Sequence, residues 1–202
     1  WPIYSGYVIA TPNTAGSVAV HVPYTGLKGD FSKMPIQDSF FGYPGMWGRD
    51  SDGNQIFQSP GTSFDVRGPV IDNLPVVVTR EISPTMRMMV RVFDTQNVFL
   101  GYLYSPDLGV ADVALGRDKE NNSLGGSAVE EWTWVGDVMP EGASVLLSLP
   151  SGAYRVEVAS QKKFTPGVYP QDYEIFDLGT YNILTNNGVQ QPLKKKTNEQ
   201  RG

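Results

Sequence analysis

No cysteine occurs anywhere in the 202 residues. That excludes disulfides, cysteine-based zinc sites and thiol nucleophiles together, without excluding secretion. Histidine occurs once, at His21, so any histidine-dependent chemistry must run through that position. No apolar run approaches the ~20 residues of a membrane-spanning helix. Charged residues are sparse, at 18%, and acids outnumber bases to give a net charge of −5. Nucleic acid needs clustered Lys and Arg, so it is not expected as a partner. The one basic run, Lys194 to Lys196, sits in a polar stretch and reads as a solvated tail. No secretory leader is visible and the first residue is Trp1, which reads as a piece of a longer protein.

What is present is β-sheet pattern. Glycine (22) and proline (15) are plentiful, as in loop-rich β proteins. Neither a sustained helical period nor a fixed repeat is visible. The clearest signal spans 129–160, with three short apolar runs separated by turn residues. In the first, Glu130, Trp132 and Trp134 share one face. In the third, Tyr154, Val156 and Val158 oppose Arg155, Glu157 and Ala159. This period of two marks half-buried antiparallel strands. Trp132, Trp134 and Tyr154 are the expected aromatic core of a two-sheet sandwich, because large rings bury the most apolar area. Further strands are expected at 4–10 and 17–24 (a hairpin), 75–82, 86–94, 98–104 and 173–184. Residues 31–74 show no sustained period and read as a long, packed-down loop region, with short strands near 54–58. Residues 105–127 read as a polar insertion.

Several constellations invite a chemical reading. His21 lies mid-strand between valines, and Gly61-Thr62-Ser63 echoes a serine-protease nucleophile segment. The helix and second histidine motif that such a nucleophile requires are missing, so both read as structural. Asp50 and Asp52, in Asp-Ser-Asp-Gly-Asn, are the one candidate for surface Ca²⁺. The glycine and glutamate positions of a calcium loop do not fit, and an Asp-Gly turn is the favoured reading. No cofactor is implied. Asn121 opens an Asn-Asn-Ser acceptor for N-glycosylation. Phe41, Tyr43 and Trp47 are either a sugar- or protein-binding patch or the anchors of the long loop.

The segment Tyr4-Ser5-Gly6-Tyr7, followed by Val22-Pro23-Tyr24-x-Gly26-x-x-Gly29-Asp30, resembles the fibronectin type III-like domain of secreted subtilisin-like serine proteases of the large multidomain, fungal type. The later Trp132-x-Trp134-x-Gly136, the Ser151–Val158 run and the stretch 172–183 are also similar to the C-terminal part of such proteins. The resemblance covers residues 1 to about 185.

It implies an all-β, fibronectin type III/Ig-like antiparallel sandwich with long irregular loops, missing strands before Tyr4. Residues 1–30 would be the last strands of one such sheet, 31–74 the packed loop region, 75–185 an Ig-like sandwich, and 186–202 a flexible tail. The implied role is that of an extracellular, non-catalytic accessory domain, with the catalytic triad on an upstream protease domain of the same precursor. It would support that domain's folding and contribute to protein-substrate selection. Tyr4, Gly6, Pro23, Tyr24, Gly26, Gly29 and Asp30 would serve structure, with Tyr24 anchoring the strand end by a buried ring. The open edge would pair with a segment outside this sequence or with a second copy. The rivals are a cell-surface or carbohydrate-binding module and a hydrolase built on Ser63 and His21.

Overall fold

Alternation of apolar and polar residues is realised as strand throughout. A computed structural model describes residues 3–14, 16, 18–30, 33–50, 52–67, 73–116 and 129–186. Among these there is no α-helix, and the sheets form a β-sandwich. Two compact units divide at Met34/Pro35.

The first unit is a ribbon. β1 (Ile3–Ala10) and β2 (Val20–Leu27) pair antiparallel and without a bulge, from Ile3↔Leu27 to Ala10↔Val20. A hairpin is expected here, at 4–10 and 17–24; its second strand instead starts at Val20 and runs on through Pro23, Tyr24 and Gly26, the expected strand end.

The second unit contains the sandwich. It begins at Pro35, and the segment 31–74, read as a packed loop region, holds the short strand expected near 54–58 together with two further, unexpected ones. That segment supplies β3 (Gly45–Arg49), β4 (Gln55–Phe57) and β5 (Ser63–Asp65). These strands are too short, and too interrupted by Gly and Pro, to show a period in sequence. Next come β6 (Val76–Thr79), β7 (Thr85–Phe93), β8 (Phe99–Ser105), β9 (Gly109–Val110) and β10 (Asp112–Leu115). The last two lie inside the expected polar insertion. β11 (Glu130–Thr133), β12 (Asp137–Met139), β13 (Leu147–Ser148), β14 (Gly152–Gln161) and β15 (Tyr173–Leu184) complete the unit.

One sheet has the order β11-β6-β3-β4. The larger runs β13-β12-β8-β7-β14-β15-β5, with β9 added on β8 and β10 on β7. Among the described residues, only β15 and β5 pair in parallel within it. The chain changes sheets between β11 and β12 at Gly136, whose φ is +88°. A Cβ there would come within 2.5 Å of Thr185 Cγ2, so glycine is required twice over.

Between the sheets lies one core: Met46, Val77 and Trp132 from the smaller sheet; Met88, Val90, Val92, Tyr154, Val156 and Val158 from the larger. The Trp134 and Tyr154 rings meet edge to face at 6.2 Å. The opposite face of the larger sheet carries a second buried cluster, Met89, Tyr102, Ala159 and Tyr173. The alternation read from 154–159, and the same alternation along 86–93, thus sort residues between two buried layers.

Candidate functional site

In the ribbon, the residues that carry the family resemblance interlock. Tyr4 stands opposite Gly26, and Gly6 opposite Tyr24. Each tyrosine ring lies over the facing glycine. A Cβ on Gly26 would fall 2.5 Å from Tyr4 Cζ, and one on Gly6 would fall 2.8 Å from Tyr24 Oη. The two rings also meet each other edge to face at 6.3 Å. Glycine weakens a strand because it has no side chain to pack, and a cross-strand ring replaces what is missing. Tyr24 is nonetheless 46% exposed, so the expectation of a buried anchor is corrected. In a two-stranded ribbon no second layer covers the ring.

Pro23 faces Tyr7 in an unbroken ladder, which sets its nitrogen on the outer edge of β2. Beyond the strand, Gly29 takes φ +152°, and Asp30 pairs with Lys33 at 3.7 Å on the surface. His21 is exposed on β2, its ring 6.1 Å from that of Tyr7. Ser63 belongs to the other unit, exposed at the start of β5.

In the sandwich unit, the structure gathers Phe41, Tyr43 and Trp47, and adds Phe40 and Phe57. The Tyr43, Trp47 and Phe57 rings lie 5.1–6.2 Å apart. Trp47 and Phe57 are cross-strand partners on β3 and β4, on the face turned away from the core residue Met46. The Phe57 ring covers Gly45, where a Cβ would come as near as 2.2 Å. The 3-10 turn Ser39–Phe41 presents Phe40, 88% exposed, and Phe41, 60% exposed. Arg80 stacks over Phe41 and Tyr43 at 5.4 and 6.0 Å. Trp47 and Phe57 are nearly perpendicular, at 84°. The rings therefore form a faceted apolar patch rather than one flat shelf.

This patch is held in place by polar residues that show no sequence signal. Glu174 accepts hydrogen bonds from the Ile36 and Gln37 backbone N–H groups at 2.9 and 3.1 Å. The Gln37 amide, fully buried, donates to Glu81 and to Ser160, each at 3.0 Å. Asp38 and Arg80 form an ion pair at 3.4 Å. Gln37 thereby ties the end of β6 to β14, and the aromatic turn follows directly. Burial pushes the Glu81 carboxyl above the ordinary range, against the opposing hydrogen bond from Gln37.

A second such group lies on the outer face of the larger sheet. The Arg91 guanidinium sits 3.9 Å from the Tyr169 ring centre and 4.7–4.8 Å from those of Phe99 and Phe93. It donates to buried Glu157 at 2.8 Å, as does the Tyr169 hydroxyl, and Arg155 adds a contact at 3.3 Å. Glu157 thus accepts from two guanidiniums and a hydroxyl, which is the condition for burying a carboxylate.

Asp50 is engaged by its own loop. Its carboxylate accepts from the Asp52 and Asn54 backbone and from the Asn54 amide. The Asn54 contacts hold its pKa below the ordinary value. Asp50 to Asn54 forms the turn between β3 and β4, the reading favoured from sequence. Among the described residues no group of three or more metal-ligating side chains occurs. Asn121 lies outside the described residues. No described helix is long and apolar enough to cross a membrane.

No family model, no curated protein and no solved structure matches the chain.

Proposed function

We propose that this chain is a non-catalytic accessory module of an extracellular subtilisin-like serine endopeptidase. It supports the folding and stability of the protease domain of the same precursor and contributes to holding protein substrate. The observation that carries this reading is the interlocking of Tyr4 with Gly26 and of Tyr24 with Gly6. Four residues of the motif behind the family resemblance pack on one another across the strands, which supports a structural role for it. The buried groups of the sandwich unit agree with this, since Glu157, Arg91, Gln37 and Glu81 are spent on one another.

The test starts from antibodies raised against this chain. Capture from the secreted proteins of the native source, followed by labelling with a fluorophosphonate probe, should yield a longer polypeptide with a reactive serine. Capture of a polypeptide that contains this sequence and no probe-reactive serine would end the protease reading.

A second reading is a surface- or carbohydrate-binding module that uses Phe40, Phe41, Tyr43, Trp47 and Phe57. The exposure of the first two residues favours it, because contiguous apolar patches mark interaction sites. Co-sedimentation with insoluble polysaccharides separates the two readings. Retention that is lost in Phe57→Ala and Phe41→Ala supports the binding module.

A further inference from the structure

The two edges of the ribbon are chemically unequal. Residues alternate along an antiparallel ladder between pairs whose backbone groups face each other and pairs whose groups face outward. Pro23 has no N–H to give, so the Tyr7↔Pro23 pair is of the outward kind, and so are Ile3↔Leu27, Ser5↔Thr25 and Ile9↔His21. The outer edge of β2 therefore lacks a donor at its centre. The outer edge of β1 keeps all its donors, and among the described residues no strand pairs with the outward N–H and C=O groups of Ile3, Ser5, Tyr7 and Ile9. Proteins protect such edges with charge, proline or a bulge. β1 has none of these: Ile-Tyr-Ser-Gly-Tyr-Val-Ile-Ala carries no charge and no proline, and its ladder is regular. Tyr4, Tyr7, Val8 and Ile9 are each more than half exposed.

The same strand is complementary to itself. Turned about a two-fold axis through Gly6, β1 sets Ser5 opposite Tyr7, Ile3 opposite Ile9, and Tyr4 opposite Val8 of a second copy. The outward-facing residues then meet one another, which is what an antiparallel ladder needs. Tyr4 and Val8 form an aromatic with β-branched pair, of the kind that stabilises sheets, and Ser5 with Tyr7 at the centre is uncharged. No like charges oppose. A lone two-stranded ribbon is marginal in water, and a sheet of more strands is not.

We infer that the β1 edge is an interaction surface for a second copy of this chain, giving a continuous four-stranded antiparallel sheet β2-β1-β1-β2 across a two-fold axis. This goes beyond the accessory reading and does not depend on it, since it concerns backbone groups that the motif rings leave free.

Sedimentation velocity over a hundredfold range of concentration tests it. The chain should move from 22.2 kDa to twice that mass as concentration rises. Ser5→Pro removes one outward N–H and leaves the β1–β2 ladder its donors, so it should shift the association at least tenfold toward monomer. Thr25→Pro, which removes an outward N–H from β2, should leave the dimer unchanged. Amide exchange provides the second readout: Ser5 and Tyr7 N–H groups should slow with concentration. A monomer at every concentration overturns the inference, as does a dimer that survives Ser5→Pro with Ser5 and Tyr7 still exchanging fast. So does a dimer lost instead in Phe57→Ser, which would place the contact on the aromatic patch. A monomer that instead pairs an added extended, uncharged peptide would assign the edge to a different polypeptide.

Discussion

The Tyr24 hydroxyl lies where a side chain on Gly6 would have to go, 2.8 Å from an added Cβ. The same holds for the Tyr4 ring over Gly26, so the two tyrosines and two glycines are one reciprocal device. Because Tyr24 is about half exposed, the device is worth a cross-strand pair and not a core residue. Tyr24→Ala should cost up to about 1 kcal/mol, locally. Amide exchange of β1 and β2 should speed up about fivefold, with β7 and β14 unaffected. Equal loss of protection in both units would show that the ribbon and sandwich unfold together.

Trp134 is the centre of the sandwich core. It is fully buried, meets Tyr154, and donates its indole N–H to the Asp137 carbonyl at 3.0 Å. Trp134→Ala should cost about 3–5 kcal/mol through the cavity and the lost hydrogen bond. Tyr154→Phe removes only the hydroxyl that donates to the Pro150 carbonyl and should cost about 1 kcal/mol. Urea midpoints at unchanged m-value give both numbers. A Trp134→Ala loss below that of Tyr154→Phe would remove Trp134 from the centre of the core.

On the outer face, Arg91→Met would leave Glu157 buried with only Arg155 and Tyr169 as partners. The expected loss is about 1–3 kcal/mol, because the buried carboxylate loses its closest cation and keeps only the longer Arg155 contact and the Tyr169 hydroxyl. Arg91→Met with Glu157→Met should lose less than the sum of the single changes, since no buried carboxylate is left and Arg155 keeps Asp177 at 3.5 Å. Strictly additive losses would show that the two groups do not act as a pair.

Glu81 makes stability depend on pH in a definite direction. Burial raises its pKa above the ordinary 4.5, so over that interval the folded chain holds a proton that the unfolded chain releases. The stability from this group is full below 4.5 and is lost as pH rises through the higher folded value. Glu81→Gln keeps an acceptor for the Gln37 amide and removes the titration. Its stability should fall less than that of wild type as pH is raised from 4.5. Parallel profiles for the two proteins would show that Glu81 is not held protonated.

The repeated two-residue alternation from 86 to 93 and from 154 to 159 was enough to name both faces of β7 and β14. It also placed Trp132, Trp134 and Tyr154 in the core, because side-chain direction in a strand is a local property. The Tyr-Gly-Pro motif was legible as a hairpin element, but not the strand that runs on through Pro23, Tyr24 and Gly26, nor the exposure of Tyr24. The sequence alone did not determine what 35–74 becomes. β3, β4 and β5 are three to five residues long, and their pairing with β6 and β15 is decided by distant strands. The grouping of Phe57 with Trp47 depends on that pairing. So do the Gln37–Glu81–Ser160 tie and the Arg91–Glu157–Tyr169 cluster, whose members lie between 12 and 123 residues apart. Buried polar residues carry no periodic signal. Only the folded chain, by removing water from around them, forces each to find its partner.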